Sequence, residues 1–251
     1  MSSAWFEIHY PRPEAALRLY CFPYAGASAL LYRSWGQALP DWIEVRPVQY
    51  PGRWSRYHEP LMNDGFQIVE ALSRQDGAWD RPFVVFGHSM GGFLAFELNR
   101  RLQEICVRLP EALIVSAVVA PDAIKVVPSR ERPLSDAEIL ERIRSLGGTP
   151  ENLLNHPEMR DLILPVVRAD LNVVETYRYV AGKKLPNPIF GFAGDQDPEA
   201  PLERMRGWSR ETENKFQLEE FAGGHFFLST QEKRVLEKLE SILKKFVRTL
   251  P

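Results

Sequence analysis

The sequence predicts an α/β protein, a mostly parallel sheet with helices on both faces, from three observations. Six short runs rich in Val, Ile, Leu and Phe read as strands, at 17–22, 43–50, 83–86, 112–119, 187–193 and 216–221. Helical patterns at 30–39, 66–75, 90–103, 202–208 and 231–247 separate most of them. Strands alternating with helices build parallel sheets, and the strands are near-continuously apolar because helices cover both faces. The third observation is one connection, 119 to 187, that exceeds sixty residues and is far too long for an ordinary crossover.

That long connection is itself helical in pattern. Ser135 and Glu138 form a capping box ahead of "DAEILERIRSL", Gly147-Gly148 ends that helix, and Thr149-Pro150 supplies another start. From 157 to 179 a second pattern places Leu162, Ile163, Val166, Val167, Leu171 and Val174 at helical spacing, with a kink expected at Pro165. The segment, about 127–182, reads either as a lid over the strand ends or as a second packed helical layer with no moving part, and a lid is favoured only by position, because ligands bind beyond the carboxyl ends of parallel strands. The expected organisation is a single domain over 1–251 carrying that insertion.

At 251 residues the chain suits one domain with one substantial core. A formal net charge of −2 with 25% charged residues gives no bulk attraction to nucleic acid or to an anionic membrane. The two cysteines, Cys21 and Cys106, lie in apolar sequence without paired spacing and are expected as small buried hydrophobes, not a disulfide. The start "MSSAWFEIHYPRPEA" lacks a basic segment followed by an apolar run, so a cytoplasmic protein is expected. No zinc spacing appears, and Gly182-Lys183 lacks the upstream glycine of a phosphate loop, so neither metal nor cofactor is expected.

The run "FVVFGHSMGGFLAF" joins the third strand to the third helix and contains Gly87-His88-Ser89-Met90-Gly91, a G-x-S-x-G pattern. A tight strand-to-helix turn holds its central residue in strained angles, and flanking glycines remove side chains that would collide there. That geometry would present the Ser89 hydroxyl at the top of the sheet, beside the free N–H groups of a helix start. A serine hydroxyl attacks well only when a base takes its proton, and imidazole is the usual base. Of the five histidines, His225 alone follows the last strand, on the glycine-rich loop of "FAGGHFFLST". His9, His58 and His156 lie elsewhere, and the His88 side chain should leave the turn in another direction from Ser89. An acid that fixes the base should fall between Ser89 and His225 in chain order, as in an α/β-hydrolase. The loop "GFAGDQDPEAP" offers Asp195 and Asp197. Asp197, further past the strand and before Pro198, is preferred, with Asp195 as a turn or cap residue. The oxyanion donors should be the Met90 N–H and one from "CFPYAGASALLY", with Ala25 preferred and Tyr24 competing.

With these pieces in place, the sequence closely resembles the type II thioesterases that accompany nonribosomal peptide and polyketide synthases. The likeness spans nearly the whole chain. "FPYAGAS", with Ala27 where a glycine is commoner, resembles the oxyanion loop, and "VQYPGRWSR", with Tyr50 for a usual leucine, resembles the PGR segment. "GHSMGG", "GDQDP" and "GGHFFL" match the nucleophile, acid and base motifs in that order. The resemblance implies an α/β-hydrolase fold and a Ser89, Asp197 and His225 triad. It also implies a lid bounding the acyl channel, and removal of stalled acyl or aminoacyl groups from phosphopantetheine arms. Carrier domains would be transient partners of a monomer, with phosphopantetheine brought by the substrate. A medium-chain acyl carrier hydrolase or a carboxylesterase would share the triad and differ in the lid and acyl pocket, while a non-catalytic protein on this fold would be expected to lack one of the three residues. Arg53, Arg56, Lys183 and Lys184 are read as solvated loop cations and assigned no site.

Overall fold

In the computed structural model, residues 4–124, 134–147 and 156–247 are described. Six strands form one sheet: β1 Leu17–Phe22, β2 Ile43–Pro47, β3 Phe83–His88, β4 Ala112–Ser116, β5 Ile189–Gly194 and β6 Phe216–Phe221. Their spatial order is β2-β1-β3-β4-β5-β6, and every neighbouring pair is parallel. The chain order therefore reverses at β1, whose neighbours are β2 and β3, and the crevice beyond the ends of β1 and β3 is the topological place for a ligand.

Two-residue alternation divides each strand between two apolar layers. Tyr20, Phe22, Phe83, Val85, Leu113 and Val115 face one way, towards Ile68 and Leu72 of α2 (Gly65–Ser73) and Phe96, Leu98 and Leu102 of α3 (Met90–Glu104). Leu17, Leu19, Cys21, Val84, Phe86 and Ile114 face the other. There they meet Trp35 of α1 (Arg33–Ala38) and Val235, Leu239 and Ile242 of a helix at Glu232–Leu243. Both faces are thus covered, which is why the strands read as unbroken apolar runs. The outer strand β6 breaks that rule at an edge: Gln217 and Glu220 are exposed, and half-buried Glu219 pairs with Lys238 at 2.6 Å, polar groups that discourage further strand pairing.

Several boundaries differ from the expected ones for local reasons. Strand β2 stops at Pro47 rather than at 50: the Val48 N–H still donates to the Cys21 carbonyl at 2.8 Å, and beyond it the Gln49 N–H turns to the Trp5 carbonyl at 2.9 Å. Strand β4 stops at Ser116 because Ala117 turns to φ 49° and the Val118 carbonyl accepts from Trp208 Nε1 instead of a strand. The helix expected at 30–39 is a 3₁₀ turn, Ala29–Tyr32, followed by α1, and the one expected at 202–208 is α6 (Leu202–Met205) with a 3₁₀ turn, Arg206–Arg210.

Within the long connection, α4 (Asp136–Leu146) carries both halves of the Ser135–Glu138 capping box and ends on Gly147 at φ 77°. Helix α5 (Pro157–Thr176) continues through Pro165, which removes only the bond to the carbonyl four residues earlier. The start expected at Thr149-Pro150 lies outside the described residues, as do 127–133 and the rest of 148–155. A short helix, α7 (Phe227–Thr230), precedes α8 (Glu232–Leu243).

Two expectations from composition are corrected. Cys21 is buried, but Cys106 is exposed, because α3 ends at Glu104 and the chain that follows runs over the surface at φ 56°. Arg53 and Arg56 are buried rather than solvated, whereas Lys183 and Lys184 are exposed. Among the described residues, no helix is long and apolar enough to cross a membrane.

Candidate active site

Strand β3 delivers Ser89 to the crevice, and the backbone there is under strain. Ser89 sits at φ 52°, ψ −118°, outside the regions a serine favours, which costs on the order of 1–3 kcal/mol. Its N–H donates to the Ser116 carbonyl at 2.8 Å at the end of β4, and its own carbonyl accepts from Gly92 N–H at 2.9 Å. The glycines are required by close approach: a Cβ on Gly87 would lie 2.1 Å from the Gly91 oxygen, and one on Gly91 would lie 2.1 Å from the Phe22 oxygen. Crowding of this kind holds an ordinary serine in an uncommon conformation and raises its hydroxyl above the strand ends.

The loops following β5 and β6 fold onto one another to bring the other two side chains in. A Cβ on Gly194 would lie 2.5 Å from the Gly223 oxygen, and Gln196 N–H donates to that same oxygen at 3.0 Å. Asp195 accepts the Gly223 N–H at 2.8 Å, so it staples the two loops and lies apart from the imidazole. Asp197 Oδ2 lies 2.9 Å from His225 Nδ1, and His225 Nε2 lies 3.0 Å from Ser89 Oγ. The other Asp197 oxygen accepts the N–H groups of Glu199 and Ala200 at 2.9 and 3.2 Å. Burial pushes the Asp197 carboxyl up, but the His225 hydrogen bond and charge, aided by those two backbone donors, outweigh it and hold it below the usual carboxylate range. An ionised carboxylate only accepts, so Nδ1 carries the proton and Nε2 turns its lone pair to the serine hydroxyl. The line from Asp197 through His225 can take a proton from Ser89 and hold it.

His88 takes a part that its sequence position disguised. Strand alternation places it on the face of Val84 and Phe86, wholly buried, with Nε2 2.9 Å from the His225 carbonyl and Nδ1 2.9 Å from Ser116 Oγ. Burial, then the neighbouring His225, pushes its pKa down to about 3, so the ring is neutral. A carbonyl can only accept, so the proton is on Nε2 and the Ser116 hydroxyl donates to Nδ1. His88 thereby fixes the main chain of His225, while the Tyr24 and Phe226 rings pack against it at 5.6 and 6.2 Å.

Ala25 and Met90 line a cavity of about 260 Å³ together with Ser89 and His225. Phe93 of α3, Val118, Ile124, and Leu171 and Val174 of α5 give it a largely apolar wall, and Arg142, Glu175, Glu199 and Arg204 add charged groups to the lining. Met90 opens α3, where backbone N–H groups have no carbonyl within the helix. The Tyr24 ring packs on His88 and Phe226 instead and is absent from that lining. A larger groove of about 640 Å³ opens between α4, α5 and the 61–63 segment but touches neither Ser89 nor His225.

The profile of a family described as a thioesterase domain matches residues 17–243, a span that includes all three polar residues and both helices α4 and α5. The chain belongs to the thioesterase family. This thioesterase is 37% identical over 233 residues to Thioesterase PikA5 of Streptomyces venezuelae, covering 92% of this chain and 82% of that protein. It is 33% identical over 229 residues to the human medium-chain S-acyl fatty acid synthase thioesterase, covering 89% of this chain and 85% of the other. Among solved structures, the type II thioesterase BorB from the borrelidin biosynthetic cluster matches with a TM-score of 0.85 at 37% identity, over 99% of both chains. The thioesterase family and the α/β-hydrolase architecture expected from sequence are both borne out by these matches.

Proposed function

We propose that this thioesterase hydrolyses stalled or aberrant acyl and aminoacyl groups from the phosphopantetheine arms of carrier domains in nonribosomal peptide or polyketide assembly. The observation that carries this reading is the hydrogen-bonded line Asp197–His225–Ser89 opening onto a largely apolar cavity, in a chain whose match to BorB is nearly end to end. Ser89 attacks the thioester carbonyl as His225 Nε2 takes its proton, and Asp197 stabilises the imidazolium. The N–H groups of Ala25 and Met90 hold the oxyanion. Collapse breaks the C–S bond, the thiol leaves with the proton from His225, and the acyl group stays on Ser89 as an ester. Water, deprotonated by the same imidazole, then releases the acid and restores the serine. Helices α4 and α5 act as the lid that bounds the acyl chamber, and the carrier is met transiently, as suits an enzyme that samples many carriers.

The human relative favours a second reading, a medium-chain acyl carrier hydrolase. Two measurements separate the readings and test the site. A fluorophosphonate should label Ser89, and Ser89→Ala should lower kcat by about a thousandfold or more. An adduct elsewhere would remove the assignment. For one acyl group, kcat/KM should be much higher on a phosphopantetheinylated carrier than on coenzyme A, and across a series of acyl lengths the short or aminoacyl groups should lead. Parity between carrier and coenzyme A defeats carrier recognition, and a maximum at medium fatty chains supports the second reading instead.

A further inference from the structure

The loop bearing Ala25 is held from outside by a charged pair that the chemistry above does not use. Arg53, in the segment after β2, and Asp170, in α5, are both buried, at 6% and 1% side-chain exposure. The guanidinium meets the carboxylate with two prongs, Nη1 to Oδ2 at 2.5 Å and Nη2 to Oδ1 at 2.8 Å. Oδ2 also accepts the Gly26 N–H at 2.7 Å, and Arg53 Nη1 reaches the Ala27 carbonyl at 3.3 Å. Gly26 is at φ +85°, and a Cβ there would lie 2.9 Å from Val167 Cγ2 of α5, so no larger residue fits between loop and helix. On the other side of the loop the Tyr50 hydroxyl donates to the Pro23 carbonyl at 3.3 Å.

Stability alone does not account for this arrangement. Removing two charges from water costs several kcal/mol each, and apolar pairs of similar volume commonly replace such pairs without loss. Arg53 Nε is moreover buried with no hydrogen-bond partner among the described residues, a further cost. What an apolar pair would not supply is an acceptor for Gly26 N–H. That N–H belongs to the peptide unit next to the one carrying the Ala25 N–H, so holding it restricts the angle at which Ala25 faces the crevice.

We propose that Arg53 and Asp170 are positioning residues that orient the Ala25 N–H towards the oxyanion through Gly26, so that the inserted helix α5 governs the acylation step as well as walling the chamber. The inference rests on the reading of Ala25 and Met90 as the oxyanion donors. When α5 is seated, Asp170 completes the loop. When α5 moves away, the acceptor leaves with it and the donor loses its aim.

The test is the double variant Arg53→Met with Asp170→Leu, which keeps a filled, uncharged interior. It should fold, bind acyl carrier with unchanged KM, and lose about a hundredfold in kcat, the scale of a misplaced catalytic group. Affinity for a trifluoromethyl ketone bearing the same acyl group, which forms an oxyanion on Ser89, should fall in parallel. Affinity for the matching non-hydrolysable amide should not. Arg53→Lys is the companion variant, which keeps the charge that Asp170 needs but cannot bridge both carboxylate oxygens. It should lose about tenfold in kcat with KM unchanged, and it decides the matter should the double variant not fold. Wild-type kcat in the folded variants, or equal losses for ketone and amide, overturns the inference. If Ser89→Ala kept its turnover, the reading of the site itself would be wrong; an inactive Ser89→Ala beside fully active Arg53 and Asp170 variants defeats the positioning role alone.

Discussion

Replacing Asp197 by asparagine changes one atom in the candidate site, and the surrounding donors dictate which way the new amide points. One Asp197 oxygen faces the N–H groups of Glu199 and Ala200 at 2.9 and 3.2 Å, so the amide oxygen stays there. The NH₂ must then take the place of Oδ2, 2.9 Å from His225 Nδ1, and present a donor to the ring. Nδ1 answers with its lone pair and the proton moves to Nε2, 3.0 Å from Ser89 Oγ. The base now donates to the serine it should deprotonate. Loss of the correct tautomer is expected to lower kcat by about 10⁴, equivalent to about 5 kcal/mol of transition-state stabilisation. Asp195→Asn is the matched control, because its amide oxygen still accepts the Gly223 N–H and no imidazole is involved. Steady-state hydrolysis of one acyl carrier near neutral pH, with near-ultraviolet circular dichroism to confirm folding, measures both. Asp197→Asn within about tenfold of wild type, or an equal loss in Asp195→Asn, would refute the tautomer argument.

Two further outcomes follow from the packing. Because the folded pKa of His88 lies near 3, below its ordinary 6.5, the unfolded chain takes up the proton first and stability falls as pH drops through that window, by about 1.4 kcal/mol per unit. Between about pH 6.5 and about pH 5, urea unfolding should show wild type losing about 2 kcal/mol more than His88→Gln; equal losses would mean His88 is not neutral in the fold. Gly91→Ala would place a methyl 2.1 Å from the Phe22 oxygen and 2.7 Å from the Pro23 oxygen, both main chain, and should cost about 3 kcal/mol or more. An unchanged melting temperature would show that the turn has more room than the structure gives it.

The architecture was legible because a doubly covered sheet makes its strands apolar along their whole length, so β1, β3, β4 and β5 announce themselves without any alternation. Ser89, Asp197 and His225 were legible for a different reason: each lies in a short glycine-bearing segment directly after a strand. Chain order admitted both Asp195 and Asp197, distance past the strand and the following Pro198 favoured Asp197, and the lean of the β5 loop on the β6 loop makes the one a staple and the other the partner of the imidazole. Arg53 was opaque because its partner is 117 residues away, and a loop arginine reads as solvated until something buries it. Likewise His88 was legible as pointing away from Ser89 but not as the holder of His225, since the carbonyl it donates to lies 137 residues on. Where strands stop was hidden in side-chain events such as Trp208 taking the Val118 carbonyl.

With Ser89 as the proposed nucleophile, the crowding around it also says when in folding the protein would acquire its reactivity. The turn is held at φ 52° by Gly91 pressed on the Phe22 oxygen of β1 and by a bond to Ser116 of β4, segments that lie on either side of it in the chain. Neither contact exists until β1, β3 and β4 have assembled side by side. Before then Ser89 is free to relax into common backbone angles, without the imidazole that lies 3.0 Å from its hydroxyl in the fold. A partly folded chain would therefore carry the serine without the base and the turn that the proposed chemistry needs. Titration with an active-site phosphonate would in turn count assembled molecules in a preparation, since collapsed but unassembled chains present nothing for the reagent to find.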